Sequence, residues 1–168
     1  MDLTDRLLEH DLWVTGRLID RAGALMDTQL DEPVDAGSPR MPFDATAPTV
    51  RSMLDRLVST KEMWTAALAG HRYVADVDGT VDGLRRRLGD AGPAFIRLVR
   101  DIRDRGAWDA AFVDVTCEPP ESFTFGGAVA HVLTFSASRR QTAIRALRAL
   151  GVDDVGMGDP IEWERSLA

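Results

Sequence analysis

Residues 126–151, GGAVAHVLTFSASRRQTAIRALRALG, decide the fold. Val129, Val132, Leu133, Ile144, Leu147 and Leu150 fall at helical spacing, which lines one side of an α-helix with apolar groups. Thr124, just upstream, can accept a bond from an orphan amide of the first turn, and Gly151 suits a left-handed stop. The spacing predicts a long helix from near Gly126 to Leu150.

Working outward, the period changes between Trp108 and Phe125. Phe112, Val113 and Val115, then Phe123 and Phe125, flank Glu118-Pro119-Pro120-Glu121, a double proline that no helix interior accommodates. A long crossover with two very short strands is expected there. Further upstream, Val81, Leu84, Leu88, Phe95, Leu98, Val99 and Ile102 predict a helix from Thr80 to near Gly106, with Pro93 expected to kink or interrupt it. A helix placing Pro48 in its first turn and running to Gly70 would carry Val50, Met53, Leu54, Leu57, Val58, Met63, Trp64, Ala67 and Leu68. The first helix, from Leu3 to about Met26 and capped by Asp2 or Thr4, would bury Leu3, Leu7, Val14, Leu18, Ala22 and Leu25. Thr28 to Thr46, with Pro33, Gly37, Ser38, Pro39 and Pro42, reads as a long loop. At the other end, Gly158-Asp159-Pro160 marks a turn, after which a segment through Trp163 packs back. The expected architecture is all-α, a four-helix bundle with a long crossover between its third and fourth helices, in a single domain over residues 1–168.

A chain of 168 residues with 45% hydrophobic content can bury one full core. Its net charge of −7 and pI near 4.9 give a field of the wrong sign for nucleic acid or an anionic membrane, so neither is expected as a partner. Met1 leads directly into Asp2-Leu3-Thr4-Asp5 without the basic and apolar segments of a signal peptide, and no apolar run approaches a membrane span. A cytoplasmic location is expected. Cys117 is the single cysteine, which excludes an intrachain disulfide, and it reads as a small semi-buried hydrophobe. Arg85-Arg86-Arg87 reads as a solvated face with Asp82 and Asp90 at helical reach.

Several local patterns stand in the order found in the DinB-like (DinB/YfiT) family. They are His10-Asp11-Leu12-Trp13, Leu54 to Trp64, Glu118-Pro119-Pro120, and His131-Val132-Leu133-Thr134-Phe135 leading to Arg139-Arg140-Gln141. The chain resembles that family along almost its whole length, most specifically from His131 to Gly151. The resemblance implies a four-helix bundle, in many members dimeric, among proteins grouped as metalloenzymes that include thiol-dependent S-transferases and maleylpyruvate-type isomerases. It also implies a metal site of three histidines, one of them eight residues before the helix-borne tryptophan. The other two form a His-x-x-x-His pair ahead of Arg-x-Gln. Counting from Trp64 reaches Arg56, and counting from Arg139 and Gln141 reaches Thr134 and Ser138.

These residues cannot replace the histidines. Arg56 is permanently cationic with no lone pair to donate, and Thr134 and Ser138 offer only weak neutral oxygens. No metal and no cofactor is therefore expected. The expected pocket comprises Arg56, Thr134, Ser138, His131, His10 and Arg139. A fixed cation beside hydroxyls suits a small anionic ligand, a carboxylate or phosphate. The competing reading pairs Arg56 with Glu9, Asp11 or Glu62. His10 and His131 read either as hydrogen-bonded interface histidines or as a two-histidine site completed by Glu62 or Asp11. Three functions stay open at this point. They are a small-molecule-binding or degenerate member without the family metal, an S-transferase or isomerase-like enzyme using a low-molecular-weight thiol, and a module that forms a homodimer or binds a partner.

Overall fold

The computed structural model describes residues 1–37, 48–115 and 117–168, and the rest of the expected Thr28–Thr46 loop, from Ser38 onward, lies outside them. Among the described residues the chain is mostly helical, with six helices and one two-stranded sheet. The order is α1 (Leu3–Ala22), α2 (Asp27–Leu30), α3 (Val50–Leu68), α4 (Val81–Asp104), β1 (Ala111–Asp114), β2 (Glu121–Thr124), α5 (Phe125–Ala149) and α6 (Pro160–Ser166). None of these helices is long and apolar enough to cross a membrane.

Capping side chains set the start of each long helix. Asp2, Thr49, Thr80 and Thr124 each accept a bond from the amide three residues on, which satisfies one orphan donor of α1, α3, α4 and α5 respectively. Thr49 and Ser52 close a reciprocal capping box, so Pro48 stands ahead of the helix rather than in its first turn. Gly70, Gly106 and Gly151, at φ 70°, 64° and 85°, lie just past the ends of α3, α4 and α5, where a left-handed residue ends the helix.

Both α1 and α3 pack against α4 and α5, while α1 and α3 meet each other over a smaller contact. One apolar cluster fills the space around Leu18, Leu54, Leu57, Leu84, Ile144 and Leu147. A second joins Leu8, Phe95, Ile96, Val99 and Val132, and Leu12 packs against both. Leu12 of α1 packs closely over Gly92 of α4, where a Cβ would lie 2.7 Å from Leu12 Cδ1 and oblige that side chain to shift.

Three expectations for the helices need correction. The first helix ends at Ala22, and its buried stripe is Leu8, Asp11, Thr15, Leu18 and Ala22, whereas Leu3 and Leu7 are exposed. Val14, Leu18 and Ala22 are buried as expected, but a stripe chosen by apolar residues alone leaves out Asp11 and Thr15, because the core face carries a carboxylate and a hydroxyl. Pro93 does not interrupt α4, which runs through it from Val81 to Asp104. The bond it removes would have ended on Gly89, an exposed residue, so that carbonyl faces solvent at little cost. Arg87 is not part of a solvated face. Its side chain is buried, bonded to Glu62 at 2.9 and 2.8 Å, to Asp55 at 2.6 Å and to the Asp78 carbonyl at 3.1 Å. That network ties the segment after α3 to both α3 and α4.

The crossover holds the hairpin. β1 and β2 pair antiparallel, with Ala111 opposite Thr124 and Asp114 opposite Glu121, and α5 follows β2 directly. After α5 the tail turns at Gly158 (φ 71°), and Trp163 of α6 is buried. Glu162 fixes this turn by accepting the Met157 and Gly158 amides at 2.9 and 2.8 Å while Arg17 donates to it at 2.7 Å.

Candidate functional site

An α-helix turns about 100° per residue, so adjacent residues point to different surroundings. On α3 and α5 this splits two neighbouring pairs. Thr60 and Arg139 line a cavity between the helices and the hairpin, whereas Lys61 and Arg140, one residue on, are buried in the core. Each pair bridges α3 and α5. In the outer layer Arg139 Nη1 donates to Thr60 Oγ1 at 2.8 Å, and that hydroxyl donates to the Arg56 carbonyl at 2.7 Å. In the inner layer Lys61 Nζ lies 2.8 Å from Asp11 Oδ2 of α1, and Arg140 Nη1 donates to Asp11 Oδ1.

The inner layer places two cations on one carboxylate, with the Lys61 side chain fully buried and Asp11 and Arg140 nearly so. Removing charges from water is expensive, and the pair interactions only offset that cost when geometry is good. Burial pushes the Lys61 ammonium down to about 7, with the Arg139 charge acting in the same direction. Burial likewise pushes the Arg140 guanidinium down to about 10. Lys61 is the sole lysine of the chain, yet apolar periodicity assigns no role to it or to Arg140, and Asp11 enters the sequence reading only as a partner for Arg56 or a residue completing a two-histidine site.

The outer layer opens on a cavity of about 700 Å³. Arg56, Thr60, Met63 and Trp64 form its α3 wall, one helical face by spacing. Gly127, Ala128, His131 and Arg139 form the α5 wall, and Asp114, Phe123 and Cys117 come from the hairpin segment. The α5 wall carries a row of flat groups. His131 lies 5.3 Å from the Trp64 ring and stacks on Phe135 at 4.1 Å, and the Arg139 guanidinium sits 5.5 Å over Phe135. Burial, then Arg139, holds the His131 imidazole below its ordinary value, so the ring is a neutral aromatic wall at physiological pH. Cys117 Sγ donates weakly to Asp114 Oδ2 at 3.6 Å. Desolvation and the Asp114 carboxylate push that thiol up, away from nucleophilic character.

Of the six expected pocket residues, the structure brings Arg56, His131 and Arg139 around this cavity. Thr134 and Ser138 are exposed and do not line it. The helical turn that points His131 and Arg139 inward carries these two outward. His10 is buried elsewhere, at the junction of α1 with the tail, where its Nε2 lies 3.1 Å from the Gly158 carbonyl and its ring 6.3 Å from Trp163. Burial, then Arg140, holds it below its ordinary value.

Of the carboxylates considered as partners of Arg56, Glu9 pairs with Arg100, Asp11 with Lys61 and Arg140, and Glu62 with Arg87, and Arg56 is itself engaged. The same engagements, with the separation of His10 from His131, leave no two-histidine site. The family's three-histidine metal does not fit this arrangement. Its positions hold a cation and two outward-facing hydroxyls, and among the described residues no three His, Cys, Asp or Glu side chains converge.

Comparisons of the chain with known protein families, with curated proteins and with solved structures found no match in any of the three.

Proposed function

We propose that this chain is a DinB-like four-helix bundle that captures a small organic carboxylate in the cavity between α3, α5 and the hairpin, beside Arg56, one of the three positions where the family it resembles places a metal ligand. The packing of α1 and α3 against α4 and α5 supports the bundle reading, and Arg56, Thr134 and Ser138, which make poor metal ligands, support the change of chemistry. The observation that carries the proposal is the cavity lined by two guanidinium groups, Arg56 and Arg139, against one carboxylate, Asp114, and by a partly aromatic wall. Arg56 and Arg139 supply fixed charge and planar donors, which match a carboxylate better than an ammonium does. Thr60 holds Arg139 in place from the opposite helix, so part of the ordering cost is met before the ligand arrives. This is a binding function of a chain whose net charge of −7 disfavours nucleic acid as a partner.

Thermal unfolding with acetate, benzoate, succinate and inorganic phosphate tests the proposal. A ligand at about ten times its Kd stabilises by about 1.4 kcal/mol, which for a chain of this size raises the midpoint by about 3–5 °C. Benzoate is expected to do so in the wild type, and Arg56→Ala and Arg139→Gln are expected to lose most of the shift. Equal shifts in the wild type and both variants would refute the anion pocket.

A further inference from the structure

We infer that the ligand is an aryl carboxylate, its ring packed against Trp64, His131 and Phe123 and its carboxylate turned toward Arg139. The inference rests on the carboxylate-binding reading and narrows it to one chemical class.

Three features of the cavity lead to it. First, the apolar part of its wall is largely aromatic: Trp64 comes from α3, His131 from α5 and Phe123 from β2, so flat groups approach from three separate elements. The Trp64 and His131 planes are inclined at 52°. An inclined pair can offer a face to one side of a planar guest and an edge to another, the arrangements aromatic pairs prefer.

Second, the charge lies at a definite place relative to those rings. His131, Phe135 and Arg139 follow at four-residue intervals on α5, and the Arg139 guanidinium folds back over Phe135 toward His131. The cation therefore lies one ring beyond the imidazole, where the carboxylate of a substituted benzene would reach it. A long aliphatic acid would gain nothing from that short spacing.

Third, the imidazole is kept neutral by burial and by Arg139, so it serves as an aromatic surface and leaves the anion to the guanidinium groups. A protonated His131 would instead draw the carboxylate away from Arg139. The lining carries two guanidinium groups and one carboxylate, Asp114, a balance that suits a monocarboxylate better than a dicarboxylate.

Isothermal titration of the full chain with benzoate, cyclohexanecarboxylate, acetate and benzamide tests this. Benzoate is expected to bind about fivefold tighter than cyclohexanecarboxylate, the size of preference an aromatic pair supplies, and benzamide about tenfold weaker than benzoate, for loss of the charged hydrogen bonds. Trp64→Leu should abolish the preference for benzoate while keeping the affinity for cyclohexanecarboxylate. Because Trp64 is half-buried and its loss could impair folding, Phe123→Ser on the exposed hairpin edge provides a second variant, expected to reduce the same preference. Equal binding of benzoate and cyclohexanecarboxylate overturns the aryl inference and leaves carboxylate capture intact. Binding of no carboxylate overturns both.

Discussion

Asp11→Ala is expected to destabilise the protein by about 3–5 kcal/mol, the cost of leaving a buried charge without its partner. Asp11 is 2% exposed and accepts from both Lys61 and Arg140, so its loss leaves two cations facing each other in a core with no carboxylate between them. Urea unfolding checks this as a lower midpoint at an unchanged slope. The effect should be strongly asymmetric. Lys61→Met removes one of the two cations, leaves the Asp11–Arg140 pair matched, and fills the space with an unbranched apolar chain of similar length. At pH 7 its expected change is within about 1 kcal/mol, of either sign, because exchanging a buried charge for a hydrophobe is often neutral or stabilising. A loss below about 1 kcal/mol for Asp11→Ala would mean that the inner layer does not hold charge in the way its geometry implies.

Stability should also rise with pH from about 7 toward the ordinary lysine value of 10.5, through Lys61. In this interval the unfolded chain keeps the Lys61 proton and the folded chain releases it. The unfolded state then binds more protons, and stability increases with pH. Below about 7 both states carry the proton, and the folded state bears the full cost of a buried ammonium. The gain across the interval is on the order of a few kcal/mol. The charged groups meeting Lys61 are Asp11 of α1 and Arg139 and Arg140 of α5. Tyr73, pushed up to about 12 by burial and by Glu62, and Cys117 also titrate at high pH, with the opposite sign. The test is therefore the difference between wild type and Lys61→Met, in which those contributions cancel. A difference that does not vary between pH 7 and pH 10 would contradict the account. A carboxylate bound to Arg139 would weaken the field on Lys61 and move the lower end of the interval upward.

The long helices could be read from sequence because their ends depend on local chemistry. Asp2, Thr80 and Thr124 cap, and Gly70, Gly106 and Gly151 stop, whatever surrounds them. The short strands were legible for a similar reason, since the double proline excludes helix around it. The inner charged layer was not. Asp11, Lys61 and Arg140 occupy core positions of α1, α3 and α5, each in line with buried neighbours such as Leu8, Leu57 and Ala143. A search for apolar periodicity treats such residues as breaks in the stripe. The usable signal was that each charge sits at a core position of its own helix, so that the three compensate only once the helices meet. Arg87 escaped notice likewise, because a run of three arginines resembles a solvated face although helical rotation turns only one of them inward. The site was half legible. Arg56, His131 and Arg139 share one cavity, but Thr134 and Ser138 were placed there by spacing borrowed from a resemblance, and a rotation of one residue separates an inward-facing stripe from an outward-facing one.

Carboxylate capture is tested most directly by a crystal soaked with 4-bromobenzoate, whose bromine can be located from its anomalous signal. The account predicts the bromine inside the cavity against Trp64 and His131, with the carboxylate within hydrogen-bonding distance of the Arg139 guanidinium. A cavity without ligand at a concentration that saturates the protein in solution, or a carboxylate bound away from Arg139, would contradict it.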